Sequence, residues 1–211
     1  MDHSQLIESL TALVGADKVS GEGSDIEEHS IDKWLVGHPP DAVVFAESTE
    51  DVVAVMKFSH QEGVPVTTRG AGVGYVGGAV PVRGGIVLSV ARMNSIKEIN
   101  IEDGVAIVES GLITGTLQDA TRDLGWFYPP DPASLEECSI GGNVATNAGG
   151  PRCLKYGVTR NYILGLEVVL ADGTVARLGG RCHKNKTGFD LIGMFVGSEG
   201  LLGVVTEVTC R

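Results

Sequence analysis

Leu6, Ile7, Leu10, Leu13 and Val14 recur at three- and four-residue intervals, which places them on one face of a helix, and Gly15 supplies its stop. The next apolar run, Ala42 to Ala46, is of strand length. Ser48-Thr49-Glu50-Asp51 then resembles a capping box, opening a helix that carries Val52, Val53, Val55, Met56 and Phe58 and ends at Gly63. A second strand begins at Pro65-Val66-Thr67-Thr68, and a third runs from Ile86 to Val90. Strand, helix, strand in this order predicts a parallel pair joined by a right-handed crossover.

After Met93 the pattern changes. Ile96 to Ile101, Val105 to Glu109, Ile163 to Leu170, Val175 to Leu178 and Val204 to Thr209 read as strands, with hairpin signals at Asp103-Gly104 and Asp172-Gly173. Helical stretches interrupt them near Gly115 to Leu124, stopped by Gly125, and near Asp190 to Phe195. The expected fold class is α+β. A helical extension over residues 1–40 precedes a small parallel βαβ lobe over 41–95 and a mainly antiparallel lobe with helices over 96–211. No repeat at solenoid period and no low-complexity tail interrupts this plan.

Charge narrows the function. With 27 acidic against 16 basic residues, the chain carries a net charge of -11, which repels a phosphate backbone and argues against nucleic acid as a partner. No apolar run reaches the roughly 18 residues of a membrane span, and the N-terminus lacks the basic-then-apolar order of a signal peptide, so a cytoplasmic protein is expected. The four cysteines form no C-x-x-C pair and are expected as free thiols. The five histidines show no ligand spacing; each is expected on the surface, and no metal site is expected.

The 30 glycines cluster. Arg69-Gly70-Ala71-Gly72-Val73-Gly74-Tyr75-Val76-Gly77-Gly78 follows a predicted strand, and five glycines in nine positions leave backbone N–H groups uncovered, a geometry that cradles phosphate. Within it, Gly72 to Gly77 formally matches the dinucleotide pattern G-x-G-x-x-G. That pattern needs a long helix to follow, with an acidic residue about 20 positions on. Pro81, Gly84 and Gly85 block such a helix, and the strand ending at Val90 carries no carboxylate. The loop is therefore expected to wrap phosphate with amides alone.

A second cluster runs from Pro129-Pro130-Asp131-Pro132-Ala133-Ser134 into Ser139-Ile140-Gly141-Gly142-Asn143-Val144-Ala145-Thr146-Asn147-Ala148-Gly149-Gly150. Small residues at this density let a flat ring or a diphosphate lie against backbone, with Ser134, Thr146 and Asn147 as polar contacts; they equally permit two lobes to pack closely.

The run R-G-A-G-x-G-x-x-G-G-A-V-P, then P-P-D-P-x-S, then C-S-I-G-G-N-V-A-T-N-A-G-G-P-R-C-L-K-Y-G, then V-G-S-E-G-L-L-G-V-V-T-E-V-T resembles the FAD-binding domain of the vanillyl-alcohol oxidase and p-cresol methylhydroxylase superfamily. Within it, the chain most resembles the group of the glycolate oxidase FAD-binding subunit and the D-lactate and D-2-hydroxyglutarate dehydrogenases. The likeness covers roughly residues 30 to 211 and implies FAD as cofactor in a fold of two α/β subdomains. It implies that the amides of Gly70, Ala71, Gly72, Val73, Gly74, Gly77 and Gly78 hold the pyrophosphate. Ser134, Gly141, Gly142, Ala145, Thr146 and Asn147 would line the ribityl chain and flavin, and Pro130, Asp131, Ile140, Gly149 and Gly150 are implied as cofactor-binding with them. Tyr156 and Gly157 would continue that wall, and Glu199, Gly200 and Val205 would close the far side near the adenosine.

Relatives with covalent flavin often carry histidine at the last position of an R-x-G-G-H loop, where this chain has Val73. A dissociable FAD is expected, with Cys138 the remaining thiol near enough to weigh. The resemblance implies oxidation of a 2-hydroxy acid, glycolate or D-lactate in type, to the 2-oxo acid, and partner subunits of a glycolate-oxidase-like complex. Arg152 and Lys155 could face an anionic substrate or merely solvent; no catalytic residue is assigned. The substrate cation and base of such enzymes lie in a C-terminal cap, which is expected to be absent from these 211 residues. The alternative is a stand-alone flavin-binding electron-transfer subunit that gains its substrate site from another polypeptide.

Overall fold

The computed structural model describes residues 2–34 and 36–211. Helix α1 (His3–Val14) opens on Asp2, whose carboxylate accepts from the Gln5 amide, and stops at Gly15. Its buried face, Leu6, Leu10 and Val14, packs on α3 (Thr49–Glu62). Between them lie β1 (Val19–Ser20), α2 (Ser24–His29) and β2 (Ala42–Phe45). Ser48 caps α3 through the Asp51 amide, and Gly63 ends it in the left-handed conformation. The Asp51 carboxylate turns back to accept from the Glu47 amide at 2.9 Å, so the two residues satisfy donors on both sides of the helix start.

Strands β3 (Val66–Arg69) and β4 (Ile86–Ser89) complete a four-stranded sheet in the order β1-β2-β4-β3. The strands on either side of α3 are parallel, as the sequence predicts, but they do not pair with each other. β4 lies between them, with Ile86 aligned to both Ala42 and Val66. Every residue of β4 is buried, the continuous apolar run expected of a central parallel strand. Residues 1–40 contribute α1 to this core and β1 to this sheet.

The second sheet is antiparallel in the order β5-β6-β9-β7-β8. The hairpins β5 (Ile96–Asn100) with β6 (Val105–Glu109), and β7 (Ile163–Val169) with β8 (Val175–Gly179), turn at the two Asp-Gly signals. The last strand, β9 (Val204–Cys210), inserts between the hairpins and joins them. Four helices accompany this sheet: α4 (Thr114–Asp123), α5 (Ile140–Thr146), α6 (Cys153–Tyr156) and α7 (Leu191–Phe195). The core under them centres on Val108, Leu117, Ile140, Val144, Val168 and Val208.

The sheets are fastened to each other. Val169 and Val204 belong to the first core, and Glu167, buried in β7, accepts from Thr49 Oγ1 at 2.8 Å and Thr206 Oγ1 at 3.0 Å while pairing with Arg177 at 2.7 Å. Burial pushes the Glu167 carboxyl up, but these hydroxyls and the guanidinium outweigh it and hold it below the ordinary value. All four cysteines are free thiols, and among the described residues no helix is long and apolar enough to cross a membrane.

One histidine departs from expectation. His29 is buried, edge-on to Phe45 at 5.2 Å, with Nδ1 2.9 Å from the Asp25 carbonyl. Burial, with nearby Arg69, lowers its pKa against the pull of the Asp25 carbonyl, and the ring packs as part of the core. Among the described residues no cluster of His, Cys, Asp or Glu could hold a metal.

Candidate functional site

The segment linking β3 to β4 faces the α5 region of the second lobe across a cleft of about 1160 Å³, part of it open to solvent.

The first jaw is the loop after Arg69. No helix follows the formal G-x-G-x-x-G; residues 70–85 are turns and bends. Gly72 takes φ +68°, a conformation open to glycine, and a side chain there would also strike the Arg69 guanidinium beneath it. Arg69 is buried and donates to the carbonyls of Ile31 (2.7 Å), Glu28 (3.2 Å) and Ala79 (3.4 Å), binding the base of the loop to the segment after α2. Burial lowers its pKa from the usual value, with Glu28 and Asp32 acting the other way. Among the described residues, the amides of Gly70 through Val76 donate to no acceptor, whereas Gly77 N–H donates to Asp32 Oδ2 at 2.9 Å.

The second jaw is helical. Ser139 caps α5 by accepting from the Gly142 amide, Gly141 N–H donates to the Ser110 carbonyl, and Asn147 closes the helix at φ +49°. Glycine at 141 is a packing requirement, because a Cβ would lie 2.7 Å from Ser110 Cβ. Gly70 and Ser139 are where the jaws touch: any side chain on Gly70 would collide with Ser139 Oγ. The far wall comes from residues 195–205, whose Gly197 and Glu199 amides donate to the carbonyls of Val144 (2.9 Å) and Ala145 (2.8 Å) at the end of α5. Glu199 holds φ +54°, an uncommon conformation for a residue with a side chain.

The cleft gathers most of the expected residues. Gly70, Ala71, Gly72, Val73, Gly74 and Gly78 line it from the first jaw, Ser134, Gly141, Gly142, Ala145 and Thr146 from the second, and Glu199, Gly200 and Val205 from the far wall. The others lie off its surface for reasons of packing. Gly77 is turned toward Asp32, Pro130 is buried with its carbonyl accepting from Gln118 Nε2, and Asp131 pairs with Arg152 at 3.1 Å. Ile140 is wholly buried in the second core, and Asn147 Oδ1 accepts from the Arg160 amide. Gly149 faces Val158 and Cys153, and Gly150 sits against the Asp131 carbonyl, with no room there for a side chain. The Tyr156 ring meets Phe127 at 5.6 Å, and Gly157, at φ +84°, lies against Asn161. Arg152, through Asp131, and Lys155, stacked on Tyr156 at 4.8 Å, are both engaged outside the cleft.

Sequence reasoning missed Asp32, Ser110, Ser139, Asn143 and Phe195 as cleft residues. Ser139 stood three residues before Gly142, the spacing of a helix cap, and was legible. Ser110 and Asp32 carried no local signal, since their neighbours arrive from distant segments.

The residues present fit a bound FAD. The only charged side chains on the described wall are Asp32 and Glu199, both acidic, so a pyrophosphate there would be held by neutral donors, amides and hydroxyls, and the loop presents its amides unpaired. At Gly74 and Gly78 a Cβ would meet nothing within 4 Å, and neither φ is positive. The chain's own packing does not demand glycine at these positions, whereas close approach of a ligand would. Ser110 Oγ, buried on the cleft wall, has no partner among the described residues.

Residues 40–179 match the protein family described as FAD binding domain. The chain is 47% identical over 172 residues to the glycolate oxidase subunit GlcD of Bacillus subtilis (strain 168), covering 82% of this chain and 37% of that protein. It is 46% identical over 169 residues to a D-lactate dehydrogenase of Archaeoglobus fulgidus, covering 80% and 38%. The fold overlays on p-cresol methylhydroxylase with a TM-score of 0.82 at 29% identity, covering 98% of this chain and 42% of that one. The chain thus spans less than half the length of these relatives. With a glycine loop, a small-residue helix and a cleft between them that suit the cofactor, the chain belongs to the FAD binding domain family, and FAD is its cofactor.

Proposed function

We propose that this chain is the FAD-holding portion of a flavin-dependent dehydrogenase or oxidase of 2-hydroxy acids, glycolate or D-lactate in type, and that its FAD is dissociable. The observation that carries the cofactor role is the set of unpaired amides of Gly70 to Gly74 and Val76 on a wall without a cation among the described residues. The substrate class rests on the relatives named above, a glycolate oxidase subunit and a D-lactate dehydrogenase.

FAD, when bound, supplies the two-electron acceptor needed to turn a 2-hydroxy acid into a 2-oxo acid. The chain's residues bind and orient it. Loop amides would hold the pyrophosphate, Arg69 fixes the loop from below, and the small faces of Gly141, Gly142 and Ala145 would let a flat group lie against α5. Thr146 Oγ1 already donates to the Gly142 carbonyl at 3.0 Å, which leaves its lone pairs to accept from the ligand. A hydroxy acid's carboxylate calls for a cation, and no lysine, arginine or histidine lines the described cleft. That group would come from residues outside this span or from a partner subunit of a glycolate-oxidase-like complex. Val73 offers no nucleophile for a flavin linkage, and Cys138 Sγ is buried against Thr114 Oγ1 at 3.4 Å.

Three measurements test this. Residues 1–211 titrated with FAD should quench flavin fluorescence, and failure to bind would overturn the reading. Acid precipitation should leave the flavin in solution; flavin in the pellet would refute the dissociable cofactor. The native holoprotein, mixed anaerobically with glycolate or D-lactate, should lose the flavin's blue absorption band, while FAD-loaded 1–211 should keep it. A native band indifferent to every short 2-hydroxy acid would remove the substrate assignment.

A further inference from the structure

The four residues after α2 and its following turn wrap the outside of the glycine loop. Lys33 N–H donates to the Gly74 carbonyl at 3.2 Å, and the Trp34 ring meets Tyr75 edge-on at 6.4 Å. Asp32, 5% exposed, divides its carboxylate between two amides: Oδ2 accepts from Gly77 at 2.9 Å and Oδ1 from Trp34 at 2.8 Å. Arg69, charged and in reach of the Asp32 field, donates to the Ile31 carbonyl from below. On its other side the segment reaches the opposite jaw, where Lys33 Nζ lies 2.6 Å from Glu137 Oε2, next to Cys138 and Ser139. The segment thus holds the loop at three successive points and bridges the cleft on its outer side, while Gly70 and Ser139 bridge it on the inner side.

From this geometry we infer that residues 31–34 are a clasp over the phosphate loop, and that Asp32 is a positioning residue for FAD, acting through the Gly77 amide rather than by holding the cofactor. The inference rests on the reading of the loop as the pyrophosphate holder. A carboxylate beside a pyrophosphate would by itself repel it. Asp32 is there because its two charge-assisted hydrogen bonds shape the loop: the one from Gly77 N–H fixes the turn that follows the unpaired amides, and the one from Trp34 N–H ties that turn to the outer segment. Its charge is matched by those donors and by Arg69.

Asp32→Ala and Asp32→Asn in residues 1–211 separate positioning from electrostatics and from plain stability. Both variants should bind FAD at least about tenfold more weakly, which is about 1.4 kcal/mol. Heteronuclear ¹⁵N relaxation in the FAD-free proteins should show Gly70 to Gly78 more mobile than in the parent, with the fold retained in the conservative Asp32→Asn. Unchanged or tighter binding by Asp32→Asn would overturn the inference, the tighter result marking the carboxylate as a mere repulsive charge. If the parent chain binds no FAD, the cofactor reading fails on its own. The relaxation data then still decide the clasp: a loop equally rigid in Asp32→Asn overturns it, and a loosened one supports it.

Discussion

The two glycine-rich segments on the cleft are built from similar residues and do opposite things with their backbones. Residues 70–78 contain five glycines in nine and form no helix; the amides from Gly70 to Val76 are left without acceptors among the described residues. Residues 139–150 form α5 and a tight turn, and there Gly141 and Gly142 spend their amides on Ser110 and Ser139. Glycine in the first segment keeps donors available and space open; glycine in the second lets backbones touch. A run of backbone donors left free of partners within the chain makes a concave, anion-accepting surface, and it suits a ligand's acceptors.

Substitutions break this comparison in order of size. Gly141→Val should destabilise the FAD-free protein by about 3 kcal/mol, because its Cβ would fall 2.7 Å from Ser110 Cβ and 2.9 Å from the Ser110 carbonyl. Urea denaturation reads this, and a midpoint equal to the parent's would contradict the packing role. Gly74→Val, in open space, should leave that midpoint in place yet weaken FAD by about a hundredfold, near 2.7 kcal/mol. A loss of stability with intact FAD affinity would reverse the two roles.

Further down the scale, Glu167→Gln should cost about 2 kcal/mol by removing the charge that Thr49, Thr206 and Arg177 share between the lobes. Because the folded carboxyl lies below its ordinary 4.5, its contribution is full above that pH and is lost as the pH falls through the lower folded value. The urea midpoints of parent and Glu167→Gln should therefore converge in acid; a gap that persists unchanged would refute this linkage. Lys33→Ala, which removes an exposed and solvent-screened ion pair with Glu137, should barely move the urea midpoint. A larger loss would mean that the outer bridge, and not the Gly70–Ser139 contact, sets how the jaws meet.

The sequence carried the strands and the hairpin turns well, because Ile86 to Ser89 is apolar throughout and the Asp-Gly pairs fix local geometry wherever they occur. It could not say that β4 would lie between β2 and β3, or β9 between two hairpins, since strand order depends on packing across long separations. The first jaw was legible, Pro81 having excluded the helix that its formal motif requires. The second jaw read as an open lining, and α5 was missed because Gly141 and Gly142 have poor helix propensity; the Ser139 cap and close packing on Ser110 override it. Off-cleft residues such as Ile140, Asn147 and Gly150 belong to the same motif as the lining residues but serve its core, cap and turn.

The distinction between the jaws is tested most directly by following the backbone amides of ¹⁵N-labelled 1–211 as FAD is added. The account predicts large downfield shifts confined to amides between Gly70 and Val76, with Gly141 and Gly142, already bonded within the chain, moving little. Large shifts at Gly141 and Gly142 with a silent loop would contradict it, and would place the pyrophosphate on α5.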